Sequence, residues 1–139
     1  LRVASVPVKL IGDGDIAGVI HATNTEESGI DIYLGSGGAP EGVLAAAALR
    51  CVGGQMQARL ILDTQEKRER AVLMGISDPN RTYGVNDLAS GDVLFAATGV
   101  TDGSLLGGVR LKKNSVHTST VVMRSWSRTV RWIQAEHRR

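Results

Sequence analysis

Apolar and polar positions along this chain keep two rhythms, a period near two and a period near 3.6, and they take turns. Residues 8–12 form a short apolar run that stops at Gly12-Asp13-Gly14-Asp15. The spacing predicts a helix over 16–22, with Asp15 as its N-cap. A second strand is predicted over 29–35, through Ile30, Ile32 and Leu34, and it ends in Gly35-Ser36-Gly37-Gly38. Pro40 then opens an alanine-rich helix that runs to about Cys51 and is closed by Gly53 and Gly54. Over 55–62, Met56, Ala58, Leu60 and Leu62 share one face of a third strand. Residues 64–74 are charged and predict an exposed helix. Residues 75–83 read as loop, with Asp78-Pro79-Asn80 as a turn. Asn86 is placed to cap a short helix over 87–89, and 92–98 reads as a buried strand ending in a glycine-bearing turn over 99–103. The last apolar runs, 116–123 and 129–133, are β-rich and have no helix between them. They predict an antiparallel edge.

Strands that alternate with helices predict an α/β fold, a mostly parallel sheet with helices on both faces. In such sheets ligands collect beyond the carboxyl ends of the strands. The three glycine-rich turns are predicted to fall at that edge, so the chemistry is sought there.

The chain has 139 residues, enough for one domain with a real core and no covalent staples. A net charge of +2 is too small to point to nucleic acid. Arg124, Arg128, Arg131, Arg138 and Arg139 gather near the end, either as a phosphate-binding face or as a solvated strand and frayed terminus. Cys51 is the single cysteine, so no internal disulfide forms, which fits a reducing, cytoplasmic setting. Its apolar neighbours mark it as a small buried hydrophobe rather than a nucleophile. No apolar run approaches the roughly 20 residues of a membrane span, and there is no signal-peptide pattern. The first residue is Leu1, and a strand-like run follows almost at once. We read that start as a cut in a longer chain.

Gly35-Ser36-Gly37-Gly38-Ala39-Pro40-Glu41-Gly42 is the strongest local signal. Its glycines let the backbone turn sharply and leave room above the turn. Glu41 can reach the strand-end crevice and bind a hard divalent ion, or it can simply complement the helix dipole. Backbone N–H groups nearby could hold a phosphate. Asp13-Gly14-Asp15 suits sugar hydroxyls or a metal ion; equally, Gly14 makes a turn and Asp15 caps a helix. The 97–103 segment is either an Asp-Gly turn or a pocket wall. His21, His117 and His137 have no metal-cluster spacing. The glycine pattern misses a dinucleotide fingerprint, because Pro40 stands where that motif needs glycine.

The stretches GDGDIAGVI, IDIYLGSGGAPEGVLAAAALRCVGGQMQARL, GDVLFAATGVTDGSLLGGVR and HTSTVVMRSWSRTVRWI resemble, in order and spacing, class II fructose-1,6-bisphosphatases. The likeness covers nearly the whole chain, with 63–92 the variable part. It implies a fold related to lithium-sensitive sugar and inositol phosphatases, layered α/β, with the active site between two domains. Residues 1–139 would then be the C-terminal domain, with the N-terminal domain outside this chain. It implies hydrolysis of the 1-phosphate of fructose 1,6-bisphosphate in gluconeogenesis, and in some lineages of sedoheptulose 1,7-bisphosphate. It implies that Glu41 binds a divalent metal, Mg²⁺ or Mn²⁺. Asp13, Gly14, Asp15 and Gly38 are implied to contact the sugar bisphosphate.

The family's remaining metal carboxylates, and an Asp-Gly-Thr motif that helps activate water, lie in an amino-terminal half with no equivalent here. The catalytic residues are expected there, so this chain alone is expected to lack turnover. Family members also run somewhat further at the carboxyl end. A homo-oligomer is implied, and exposure of Trp126 or Trp132 would support an interface. Neither nucleic acid nor membrane is expected as a partner. The competing reading is a non-catalytic module that binds sugar phosphates without a metal cluster.

Overall fold

The computed structural model describes residues 2–139. After a short 3₁₀ turn at Arg2–Ala4 come helices α1 (Asp15–His21), α2 (Thr25–Ser28), α3 (Ala39–Val52), α4 (Gln65–Leu73) and α5 (Val85–Leu88). Strands β1 (Leu94–Thr98), β2 (Arg110–Leu111), β3 (Ser115–Arg124) and β4 (Thr129–Arg138) follow. The helices thus precede the sheet along the chain.

β3 is the central strand. β4 runs antiparallel along its whole length, from Ser115 opposite Arg138 to Arg124 opposite Thr129. On its other side β3 pairs antiparallel with β1 at one end and with β2 at the other. The predicted antiparallel pairing of the last two apolar runs is therefore present, but they are not an edge as predicted: β3 has partners on both sides, and of the two only β4 lies at the rim. The mostly parallel sheet is not: among the described residues every strand pairing is antiparallel.

The predicted strands over 8–12, 29–35 and 55–62 form no strand ladder, and Gly29 is left-handed, at φ 67°. The last of them keeps a single bridge, Ala58 to Tyr83. Alternation still holds there, with Met56, Ala58, Leu60 and Leu62 half-buried and Gln55, Gln57, Arg59 and Ile61 exposed. Alternating side chains report an extended backbone with one sheltered side. A strand also needs a neighbour for its N–H and C=O groups, and that is a tertiary matter. Ile32 and Leu34 show the consequence, being 62% and 64% exposed.

Among the described residues, helices on both faces are not seen either. α3 is the helix that packs on the sheet, and α1 and α5 pack on α3. One sheet face, with Phe95, Val121 and Met123, joins Ala48 and Cys51 of α3, Ile20 of α1 and Leu106 in the main core. Leu94, Ala96 and Thr98 point the other way and are exposed.

α3 forms much as its sequence suggests. Pro40 sits in its first turn, alanines fill its middle, and Gly53 ends it at φ 80°. Only glycine holds that left-handed conformation cheaply. Small side chains let its neighbours come close: Ala46, Ala48 and Cys51 are fully buried. The buried Cys51 thiol donates to Val93 O at 3.6 Å, and burial pushes its pKa up, as befits an inert hydrophobe. A second small cluster sets Val19, Ala45 and Leu49 around Tyr33, Met56 and Val85.

α4 stands outside this packing. Thr64 caps it by accepting from Lys67 N–H at 3.3 Å, and Ala71 is its one buried residue. The Asp78 turn is also as predicted, with Asn80 N–H donating to Asp78 Oδ1 at 2.9 Å. α5 starts two residues earlier than expected: Gly84, not Asn86, is the N-cap, and the Asp87 carboxylate accepts the Gly84 N–H at 2.8 Å. Asn86 instead accepts from Arg50 of α3.

Candidate functional site

The turn before α1 and the turn before α3 meet. Gly14 is the N-cap of α1, at φ 75° and ψ 39°, a left-handed conformation that glycine adopts without strain. Asp15 is not the cap. It is the first helical residue, and no side chain caps this helix. Gly14 makes the turn, as expected, and also takes the cap position expected of Asp15, which leaves the Asp15 carboxylate free of backbone duty. Asp15 Oδ1 instead accepts the Tyr33 hydroxyl at 2.8 Å. Burial, then this bond to Asp15, raises the Tyr33 pKa, so the phenol remains a donor.

The other oxygen of Asp15 points at the glycine-rich loop. A Cβ placed on Gly37 would stand 2.9 Å from Asp15 Oδ2. At the next residue the same holds for the second candidate acid: a Cβ on Gly38 would collide with Glu41 Oε2. Gly38 has an ordinary extended backbone, φ −70° and ψ 154°, so its small size, not its flexibility, suits the position. The carboxylates of Asp15 and Glu41 therefore flank two successive glycines of one loop. Glu41 lies in the first turn of α3 and is exposed; Asp13 and Gly14 are exposed and Asp15 is half-buried. Oxygen donors of this kind suit a hard divalent cation or sugar hydroxyls. They do not complete a metal centre alone: among the described residues no group of three or more His, Cys, Asp or Glu side chains could hold a metal ion.

The third glycine-rich turn lies elsewhere. Asp102 accepts from Gly108 N–H at 2.9 Å and from Arg110 Nη2 at 2.8 Å, which closes the 99–108 loop on itself. Those contacts hold its carboxyl below the usual carboxylate range, the Gly108 N–H first. The loop touches α1 at the far end, where His21 Nε2 meets Ser104 Oγ at 3.1 Å. A seven-residue helix separates its ends by about 10 Å. The approach of Gly37 to Asp15 thus joins the first two turns, and the third meets the opposite end of α1.

The histidines are ordinary. His117 meets Ser115 Oγ at 3.1 Å and His137 meets Thr118 Oγ1 at 3.2 Å, each with one hydroxyl partner. Of the basic residues near the end, Arg124 pairs with Asp92 at 2.9 Å, and its guanidinium lies 5.5 Å from the Trp126 ring. Trp126 and Trp132 are 79% and 57% exposed. Tyr33 was missed in the sequence. Its signal is faint: one of two tyrosines in an aromatic-poor chain, placed between glycines at 29 and 35. No helix among the described residues is long and apolar enough to cross a membrane.

The family model described as bacterial fructose-1,6-bisphosphatase, glpX-encoded, matches residues 1–137. A D-fructose 1,6-bisphosphatase class 2/sedoheptulose 1,7-bisphosphatase of Synechococcus sp. (strain JA-3-3Ab) is 44% identical over 150 residues, covering 99% of this chain and 43% of that protein. The protein of the same name from Synechococcus elongatus (strain ATCC 33912 / PCC 7942 / FACHB-805) is 43% identical over 154 residues, covering 99% of this chain and 43% of its own length. The chain thus spans less than half the length of these relatives. A match over nearly every residue, through both carboxylate-bearing turns, leaves one conclusion: this chain belongs to the bacterial, glpX-encoded fructose-1,6-bisphosphatase family.

Proposed function

We propose that this chain forms one side of the active site of a sugar-bisphosphate phosphatase. The reaction is hydrolysis of the 1-phosphate of fructose 1,6-bisphosphate to fructose 6-phosphate and inorganic phosphate, in gluconeogenesis. The relatives' names extend the substrate class to sedoheptulose 1,7-bisphosphate. The single observation that carries the reading is the placement of Asp15 and Glu41 against Gly37 and Gly38.

In this reading Asp13 and Asp15 accept hydrogen bonds from sugar hydroxyls, as acceptor-only carboxylates do. Gly14 and Gly38 keep side chains out of the way, so the sugar phosphate can approach the backbone. Glu41 supplies one oxygen ligand to a divalent cation, Mg²⁺ or Mn²⁺. Such a cation, when bound, offsets charge on the phosphoryl oxygens and makes water a better nucleophile. In this reading its other ligands, and the group that orients water, come from a second lobe; the chain spans 43% of the length of the relatives it matches. The enzyme works in the cytoplasm as a homo-oligomer, and the exposed Trp126 and Trp132 support an interface.

The test is Glu41→Gln in the longest natural polypeptide that carries this sequence. Removing a direct ligand lowers turnover by about 10²-fold or more at fixed cation. Near-normal turnover removes Glu41 from the cation site. A second reading, a non-catalytic module for sugar phosphates, draws on the lack of a complete metal cluster among the described residues. Calorimetry separates the two. Tight binding of fructose 6-phosphate without added cation favours the module, and binding that needs Mn²⁺ favours the enzyme.

A further inference from the structure

We propose that Tyr33 is the positioning residue of this edge: it fixes the Asp15 carboxylate so that one oxygen faces the ligand space above Gly37. The proposal rests on the reading that Asp15 meets the sugar phosphate.

The geometry points there in three ways. The Tyr33 ring is wedged between two glycines on different elements. A Cβ on Gly18 of α1 would stand 2.9 Å from its Cδ2 and Cε2, and a Cβ on Gly35 would strike its hydroxyl edge, with Cε1 at 3.0 Å. Its inner side packs with Val19, Ala45 and Leu49, so the ring is tied to α1 and α3 together. Its hydroxyl then donates to Asp15 Oδ1 at 2.8 Å, while Asp15 Oδ2 turns to Gly37.

A free aspartate at a helix start samples several rotamers. One tethered by a wedged phenol presents its second oxygen in a fixed direction, and the ordering cost is met before the ligand arrives. The tether uses one of roughly four acceptor sites on the carboxylate and leaves the outward ones for the ligand. Tyr33 itself has its hydroxyl occupied, so it acts through Asp15 rather than by touching substrate. The residue types fit this role: glycine at 18 and 35 makes room for the ring, and tyrosine supplies a donor that phenylalanine lacks.

The experiment compares Tyr33→Phe, Asp15→Ala and the double variant in the longest natural polypeptide that carries this sequence, with fructose 1,6-bisphosphate as substrate. The expected result is a KM raised about 3- to 10-fold by Tyr33→Phe, the value of one hydrogen bond, with kcat changed less than KM. The double variant matches Asp15→Ala alone, since alanine has no oxygen for the Tyr33 hydroxyl and Tyr33 has nothing left to position. A merely structural tyrosine would add its effect to that of Asp15→Ala, and additivity overturns the proposal. An unchanged KM in Tyr33→Phe, with a raised one in Asp15→Ala, also overturns it while leaving the site reading intact. If Asp15→Ala and Glu41→Gln both leave the kinetics unchanged, the site reading and this proposal fall together.

Should Tyr33→Phe fold poorly, 3-fluorotyrosine placed site-specifically at position 33, and separately at position 83, of the same polypeptide gives a second route. Fructose 1,6-bisphosphate should shift the Tyr33 fluorine resonance and leave that of Tyr83 in place. Equal response of both, or of neither, overturns the proposal.

Discussion

Gly38→Ala separates the site from the stability of the fold. Gly38 sits at φ −70° and ψ 154°, a conformation open to alanine, so the backbone has no reason to move. The added methyl meets the Glu41 carboxylate, and the next nearest atoms, Glu41 Cδ and Pro40 Cδ, lie at 3.3 and 3.5 Å. The flexible end of Glu41 gives way, by on the order of 1 Å, which typically costs about 10²-fold in rate at a catalytic constellation. Stability should hold or rise by about 0.4–1 kcal/mol, because alanine narrows the unfolded ensemble.

Gly42→Ala is the control. It lies one helical turn on, with nothing within 4 Å of its Cβ position. It should stabilise α3 by about 0.8–1 kcal/mol and leave the site alone. The assays are urea unfolding of both variants, and Mn²⁺ titration and turnover in the longest natural polypeptide that carries them. If Gly38→Ala keeps the cation affinity and rate of Gly42→Ala, the carboxylate position drawn here has no bearing on function, and the reasoning fails.

Two further outcomes follow from the core and the surface charges. Met123 is among the largest fully buried side chains, at the junction of β1, β3 and α3; Met123→Ala should lower stability by about 2–5 kcal/mol, read as a lower urea midpoint with unchanged slope, and a loss under about 1 kcal/mol would contradict that packing. Asp92, Asp87 and Asp102 are all held below the usual carboxylate range, chiefly by Arg124, the Gly84 N–H and the Gly108 N–H respectively. A depressed folded pKa contributes stability above the unfolded pKa and loses it as pH falls through the folded one, so the urea midpoint should drop on acidification below about pH 4 and Asp92→Asn should flatten part of that drop; a midpoint that rises over this range would refute the assignment.

Local chemistry made much of this chain legible without coordinates. Pro40, the alanine run and Gly53 specify α3 at both ends, because each acts on its own φ, ψ or N–H group. Thr64 does the same for α4, and the alternation over 116–123 and 129–133 yields the β3–β4 hairpin because its partners are neighbours in sequence. The carboxylates of interest were also visible, since glycine and acid residues cluster there.

What the sequence left open were matters of partnership. Alternation at 8–12, 29–35 and 55–62 says which side chains share a face, but a ladder needs a second strand, and among the described residues only the single Ala58–Tyr83 bridge is made. Whether Asp15 caps a helix or reaches Tyr33, eighteen positions away, depends on how α1 folds back on the following segment. So does the meeting of Asp15 with Gly37, and the placing of the third turn at the other end of α1. Short-range torsional preferences are written residue by residue. Contacts between distant residues exist only once the whole chain has packed, and those contacts aim the acids.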